Sequence, residues 1–480
     1  MKDIIKKNYI FILLCLVLEV IVITMFKNSD AKLTVIIAII GIPIGLYIFN
    51  YMYKSFENTL LGCVFSIFLL PACGYVLLRM GFLDKQWMFY TAYYLIILVL
   101  LIKNGLFKRI NRERNTVKNK YIRIILLILL IINIFFAYDK QLSFMVVTIS
   151  FLPFMLIFYI IKTSFFKDKV MFYDKLLQSA VLGALVSGLP DSLYYIILLF
   201  KGEHNRVFGP LGSNAILPYI LIMFILTLSK WIKKKGIKNI WTLYIIGFIF
   251  ILGTQESRGA LITIFLVYIL YMIFDIKNWI KYSAVFFLVG AMVFSNVIGR
   301  SDVLKDINNI VEKKENHISK DENIEGESIK DLSLEVLDSQ SKNRQILWKT
   351  GIELSRDYKV TGVGISNFKY FYKEYSKSER PYSDAHNLLL NLSSELGIPF
   401  MLVSLILMIK LGWDMIMGYF KKNNEYRIKY LAGGISLIAF FIYGNLTGIA
   451  LNFSNEVYSF SSTFIILFML FYIDCINEFV

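Results

Sequence analysis

Cysteine and histidine are scarce in this sequence. The four cysteines, Cys15, Cys63, Cys73 and Cys475, all lie in or beside apolar segments. Their spacing supports neither a disulfide framework nor a zinc site. The only histidines are His204, His317 and His386. There is no Walker A loop, GxGxxG, GxSxG or HExxH pattern, so the usual nucleotide, hydrolase and metalloprotease sites are excluded. No residue cluster calls for a metal, and no cofactor is implied. Internal repeats, frequent in inverted-repeat transporters, are missing as well. A reaction here would need a substrate that is already activated and held in the membrane.

Apolar residues are what the chain has in abundance. It is 57% hydrophobic and 18% charged, with a mean hydropathy of +0.61. A soluble chain of this length cannot hide so much apolar surface, so the excess faces lipid. Segments of this kind fall at 9–26, 33–52, 60–78, 88–106, 122–137, 143–162, 176–200, 214–232, 240–255, 260–274, 280–298, 396–418, 430–450 and 457–474. Most are long enough to cross a hydrocarbon core of about 30 Å as helices, and too long and uniform for barrel strands. The expected fold is an all-α polytopic membrane helix bundle of about 12–14 spans. Met1 to Lys7 and the following apolar run look like a signal peptide. Glu19 interrupts that run and no small-x-small cleavage site follows, so a retained first span is expected.

The formal charge of +16 could suggest a nucleic-acid partner, but its distribution argues against one. Lys and Arg crowd the loops at 103–123, 162–175, 230–238 and 421–429, while the alternate short loops carry few. This is the pattern of cytoplasmic and extracytoplasmic loops in a cytoplasmic-membrane protein with both termini cytoplasmic. The basic excess then reports topology, with a secondary attraction to anionic membrane lipids. Three regions follow: an N-terminal transmembrane bundle at 1–298, a large extracytoplasmic loop at 299–387, and C-terminal transmembrane helices at 388–480.

The large loop has two parts. Residues 312–342 are rich in Lys, Glu, Asp, Asn and Ser, and read as mobile. From Asn343 the pattern changes. Leu347, Gly351 and Leu354 fall on one helical face, and Gly362-Val363-Gly364 makes a turn. Phe368, Phe371, Tyr372 and Tyr375 then form an aromatic stripe on a second short helix. His386 follows where the chain re-enters apolar sequence. An imidazole there has the intrinsic pKa of a general base for a hydroxyl; a helix-capping or interfacial histidine is the alternative. Arg206, Arg258 and Arg344 share its side of the membrane and could fork onto diphosphate oxygens. Arginines at helix ends also snorkel to the interface with no ligand at all.

Four stretches stand out in order: Arg206-Val-Phe-Gly209-Pro-Leu-Gly-Ser-Asn214; Ser257-Arg258-Gly259-Ala260-Leu261; Asn343-Arg344-Gln-Ile-Leu-Trp348 with Gly362-Val-Gly364-Ile-Ser-Asn367-Phe368; and Ala385-His386-Asn387-Leu388 with Glu395-Leu-Gly397. Together they resemble the O-antigen ligase / Wzy-type O-antigen polymerase family of bacterial membrane glycosyltransferases. The likeness spans roughly residues 170–475. Pro399 stands where the family often has glycine, and the 312–342 insert is longer and more polar than expected. The resemblance implies a GT-C-like fold and an undecaprenyl-diphosphate-linked glycan donor, with no nucleotide sugar and no metal. It implies that His386 activates the acceptor hydroxyl and that Arg344 and Arg258 stabilise the departing diphosphate. Arg206 and Asn387 would assist near the lipid head. The acceptor would be a glycan or a lipid, with a chain-length regulator as a further partner. Transfer would be inverting and metal-independent.

The expected function is polymerisation of lipid-linked repeat units for surface polysaccharide. A ligase moving glycan to a lipid or protein acceptor uses the same donor chemistry and is the nearest alternative. A transporter or flippase of lipid-linked sugars is the alternative of another class.

Overall fold

A computed structural model describes residues 42–70, 86–109, 120–200, 213–233, 239–254, 257–298, 344–376, 382, 384–421 and 424–447. These residues contain helices and no β-strand. The sequence dictates that outcome where it places the helices in lipid. Backbone polar groups there have no water to bond, and an α-helix satisfies them within itself. The expected all-α polytopic membrane bundle is the observed one.

In chain order, apart from a single turn at Leu106–Arg109, the helices are α1 (Ile42–Tyr53), α2 (Phe56–Ile67), α3 (Gln86–Lys103), α4 (Lys120–Phe136), α5 (Lys140–Val146), α6 (Leu152–Thr163) and α7 (Lys169–Phe200). A π-helical turn at Val147–Phe151 joins α5 to α6. There follow α8 (Ser213–Lys233), α9 (Ile240–Thr254), α10 (Arg258–Phe274), α11 (Trp279–Ile298), α12 (344–357), α13 (Phe368–Ser376), α14 (Leu388–Leu396), α15 (Ile398–Lys421) and α16 (Asn424–Thr447). Among the described residues four helical stretches are long and apolar enough to cross a membrane: Lys140–Thr163, Lys169–Leu189, Ile398–Lys421 and Arg427–Leu446. Helices α10 and α11, expected as two crossings, form a pair bent by 113° that would make a fifth. Other expected crossings are shorter apolar helices, such as Tyr121–Phe136 and Ile240–Thr254. Those at 9–26 and 457–474 lie outside the described residues, as does the insert at 312–342.

Helix α15 shows what surrounds the bundle. Leu402, Ile406, Ile409, Trp413, Ile416 and Phe420 are all exposed. They recur at steps of four and three, so they share one helical stripe. Leu407, Leu411 and Met415 are buried on the other side. A helix apolar on both faces, one of them unpacked, is suited to lipid and not to water.

The chain divides into two compact units. One comprises residues 1–115 and 153–184, the other 116–152 and 185–480. In the first, α2 packs on α1 and α3. Its start is fixed by Ser55, whose hydroxyl accepts from the Asn58 N–H at 3.1 Å. In the second, α16 is central and packs against α8, α10 and α15. The break between α10 and α11 is set by Asp275, which accepts from Tyr282 Oη at 2.7 Å and Asn278 Nδ2 at 3.0 Å.

Candidate functional site

All the described candidate side chains belong to the second unit, and α12 presents the first of them. Leu347 and Leu354 are buried on its inner face, as their spacing predicts. With Val363, Phe368, Phe371, Tyr372 and Ala385 they form a small apolar core. Burying such side chains contributes roughly 1.5–3 kcal/mol each, enough to order a segment that composition alone leaves undecided. Gly351 lets α12 approach closely. A Cβ there would lie 3.2 Å from both the Ala385 and the Leu390 Cβ. Ser355 and Ser393 hydroxyls are joined across the same contact at 2.7 Å.

The Gly362–Gly364 turn locks this core onto the bundle. Gly362 and Gly364 have φ of +66° and +103°, a region that glycine enters at little cost. Val363 N donates to Ser394 O and Gly364 N to Glu395 O, each at 2.9 Å. Asn133 on α4 clamps the turn from the other side. Its amide nitrogen donates to the carbonyls of Thr361 at 2.5 Å and Glu395 at 2.7 Å, and its oxygen accepts from Ile365 N at 3.2 Å. Asn367 continues the seam, accepting from Asp139 N and donating to Ser143 Oγ. Behind it lies Glu395, 1% exposed. One of its oxygens accepts from Phe368 N at 3.3 Å, and the other has no hydrogen-bond partner. Burial pushes its carboxyl up to about 8, against the pull of the Ser366 and Phe368 N–H groups. It is therefore mostly neutral at pH 7.

His386 sits on the last turn before α14. Its φ is +50°, and only Ser366 shares a positive φ among the described non-glycine residues. Its Nδ1 lies 2.9 Å from Asp384 Oδ1, and its own N–H donates to the same oxygen at 2.6 Å. Asp384 is buried, while the imidazole is about one-third exposed. The Asp384 carboxylate raises the His386 pKa, with burial and the Arg344 guanidinium opposing. Although its burial pulls the other way, Asp384 is itself held below the usual carboxylate value by His386 and Asn391. The Tyr382 ring meets the imidazole edge-on at 6.0 Å.

Arg344 heads α12 and is exposed. Its Nη1 donates to Leu446 O at 3.1 Å, at the end of α16. Asn387 caps α14 by accepting from Leu390 N at 3.1 Å, and its amide nitrogen reaches Asn445 O at 3.4 Å. Arg344, His386 and Asn387 thus gather at one end of α16. Arg258 opens α10, where Ser257 Oγ accepts from Ala260 N at 3.3 Å. The opposite end of α10, Phe274, accepts from Tyr419 Oη, which in turn accepts from Arg427 near the start of α16. Helix α10 therefore runs antiparallel to α16, and its Arg258 end points the same way as Leu446. Only the backbone is described at Arg258, and Arg206 lies outside the described residues.

Sequence reasoning passed over Asp384, Asn133, Asn391 and Glu395 as functional groups. An acid two residues before a histidine is a usable signal, because an Asx turn brings that pair together. For Asn133, more than two hundred residues from its partners, the sequence offers no such sign.

Residues 243–405 match the family model described as O-Antigen ligase. That stretch contains Arg258, Arg344, His386 and Asn387, and leaves Arg206 outside. No curated protein matches the chain.

Proposed function

The chain carries an O-antigen ligase family region across residues 243–405, and on that premise we propose that it polymerises undecaprenyl-diphosphate-linked oligosaccharide repeat units at the outer face of the cytoplasmic membrane. The observation that supports this most is the pairing of a base with a guanidinium. Arg344 and Asn387, the residue next to His386, reach the adjacent carbonyls of Leu446 and Asn445 at one end of α16. Displacing a diphosphate from an anomeric carbon builds negative charge on the leaving oxygens, which a fixed guanidinium at a low-dielectric site stabilises. The incoming hydroxyl must lose a proton, which a neutral imidazole accepts. Direct displacement inverts the anomeric centre. Arg258, opening its helix toward the same end, serves as a second guanidinium, and Arg206 and Asn387 act near the lipid head. Both termini face the cytoplasm, and the 299–387 loop lies on the outer side.

Ligation to a lipid or protein acceptor is the second reading, favoured by the description of the matching family itself. Both use the same donor chemistry, so the glycans of a strain lacking this gene decide between them. Single repeat units still transferred, without long chains, are the expected result. Long chains stranded on the lipid carrier would instead establish a ligase. Unextended units trapped on the cytoplasmic face would make it a flippase. His386→Ala and Arg344→Ala are each expected to insert normally and abolish transfer. Normal polymer from either variant would remove that residue from the reaction.

A further inference from the structure

We infer that Asp384 is the positioning residue of His386, holding the imidazole by Nδ1 so that Nε2 is the atom that takes the proton of the acceptor hydroxyl. This rests on the proposal that His386 is the base.

The turn itself is the first ground. Asp384 Oδ1 accepts from the His386 N–H at 2.6 Å, an Asx turn that bends the backbone at His386 into the left-handed region. For a residue with a Cβ that conformation costs of the order of 1–2 kcal/mol, so something must hold it. The same oxygen lies 2.9 Å from Nδ1. One carboxylate thus fixes both the backbone and the ring. It cannot swing away, because it is buried against α14 and hydrogen-bonded by Asn391, whose own oxygen accepts from Ala385 N at 2.7 Å.

The tautomer is the second ground. An ionised carboxylate only accepts, so Nδ1 carries the hydrogen and Nε2 keeps its lone pair. Among the described residues the remaining charged or titratable neighbours of this pair are few. Arg344 faces His386 from α12, Tyr382 meets the ring edge-on, and Glu395 stands behind Asp384 on α14. From α16 come the carbonyls of Leu446 and Asn445, taken up by Arg344 and Asn387. None of these competes for Nδ1.

In the step that follows, the acceptor oxygen bonds to the anomeric carbon as its proton passes to Nε2. The bond from that carbon to the diphosphate oxygen breaks, and the diphosphate leaves with the electron pair. The imidazolium then has both nitrogens protonated, and its Nδ1–H still donates to the ionised Asp384 carboxylate.

The test uses the full-length protein in nanodiscs, with undecaprenyl-diphosphate-linked repeat units extracted from a strain lacking this gene. Transfer is followed as kcat/KM from acid to alkaline pH. For the wild type, the rate should rise as His386 loses its proton. In Asp384→Asn the acid limb should move to lower pH, because the imidazolium loses its anionic partner, and the plateau should fall by roughly tenfold or more. Asp384→Glu should bring the limb back toward the wild-type position. A lower rate with an unmoved limb would mean that Asp384 only supports the fold, and would overturn the inference. Should Asp384→Asn not fold, 15N-histidine spectra of the wild type decide: His386 protonated on Nδ1 supports the inference, and the Nε2–H tautomer sinks it. Full transfer by His386→Ala is a separate result, and it would remove the base itself.

Discussion

At the scale of single residues, the buried acids are the informative ones. Glu395 is 1% exposed, with one carboxyl oxygen unpartnered. A charged form there would cost several kcal/mol, so the group keeps its proton. Its folded value of about 8 lies above the ordinary 4.5. Between those values the folded protein holds a proton that the unfolded chain has released. Stability should therefore fall as pH rises through that window, by up to about 1.4 kcal/mol per pH unit, and level off above it. Glu395→Gln removes the titration. Its melting temperature in detergent should vary less between pH 5 and 8 than that of the wild type, and an equal slope in both would refute the assignment. Asp384 is the opposite case. It is as buried, yet His386 and Asn391 keep it ionised. Two carboxylates in one small region thus take different protonation states, set by partners and not by depth.

At the scale of elements, α12 is a lever. Its inner face is fixed by Leu347, Gly351 and Leu354, and Arg344 sits on its first turn. The contact at Gly351 admits no side chain without movement, since a Cβ would already press on Ala385 and Leu390. Gly351→Leu should push α12 outward and carry Arg344 away from His386. Overpacking of this kind costs about 1–3 kcal/mol, so insertion should survive while transfer falls by roughly tenfold or more. Gly351→Ala should be milder. Wild-type transfer by Gly351→Leu would show that the spacing of α12 does not matter. The π-helical turn between α5 and α6 runs up to Pro153, which has no N–H to return to the Ile149 carbonyl and whose ring crowds that carbonyl.

At the scale of the molecule, the site lies where a folded segment returns to a bundle end. The seam of Asn133, Asn367, Ser143 and the Ser394–Glu395 carbonyls joins that segment to α4 and α14. None of those bonds involves residues 312–342, which lie outside the described residues. Deleting residues 315–335 is therefore expected to leave most glycan transfer intact, measured as polymer yield from cells expressing the shortened protein at equal level. Loss of polymer despite normal insertion would show that the insert takes part in the reaction.

Composition alone determined that this chain lives in lipid, because so much apolar surface has no other place to go. Periodicity determined the helices within it and the buried faces of α12 and α13, since a run of Leu347, Gly351 and Leu354 or of Phe368, Phe371 and Tyr372 can hide only on a helix. The match at residues 243–405 supports the resemblance, and it covers the last three of the four ordered stretches. What the sequence did not determine was proximity. Arg344 and His386 are 42 positions apart in the chain, and the distance between them depends on how α12 packs on α14. The protonation of Glu395 depends on surroundings contributed by the 362–368 turn, and the hold on that turn depends on Asn133, far away in the chain. Those were decided by tertiary structure, because close packing and the exclusion of water are properties of the assembled fold and of no single segment.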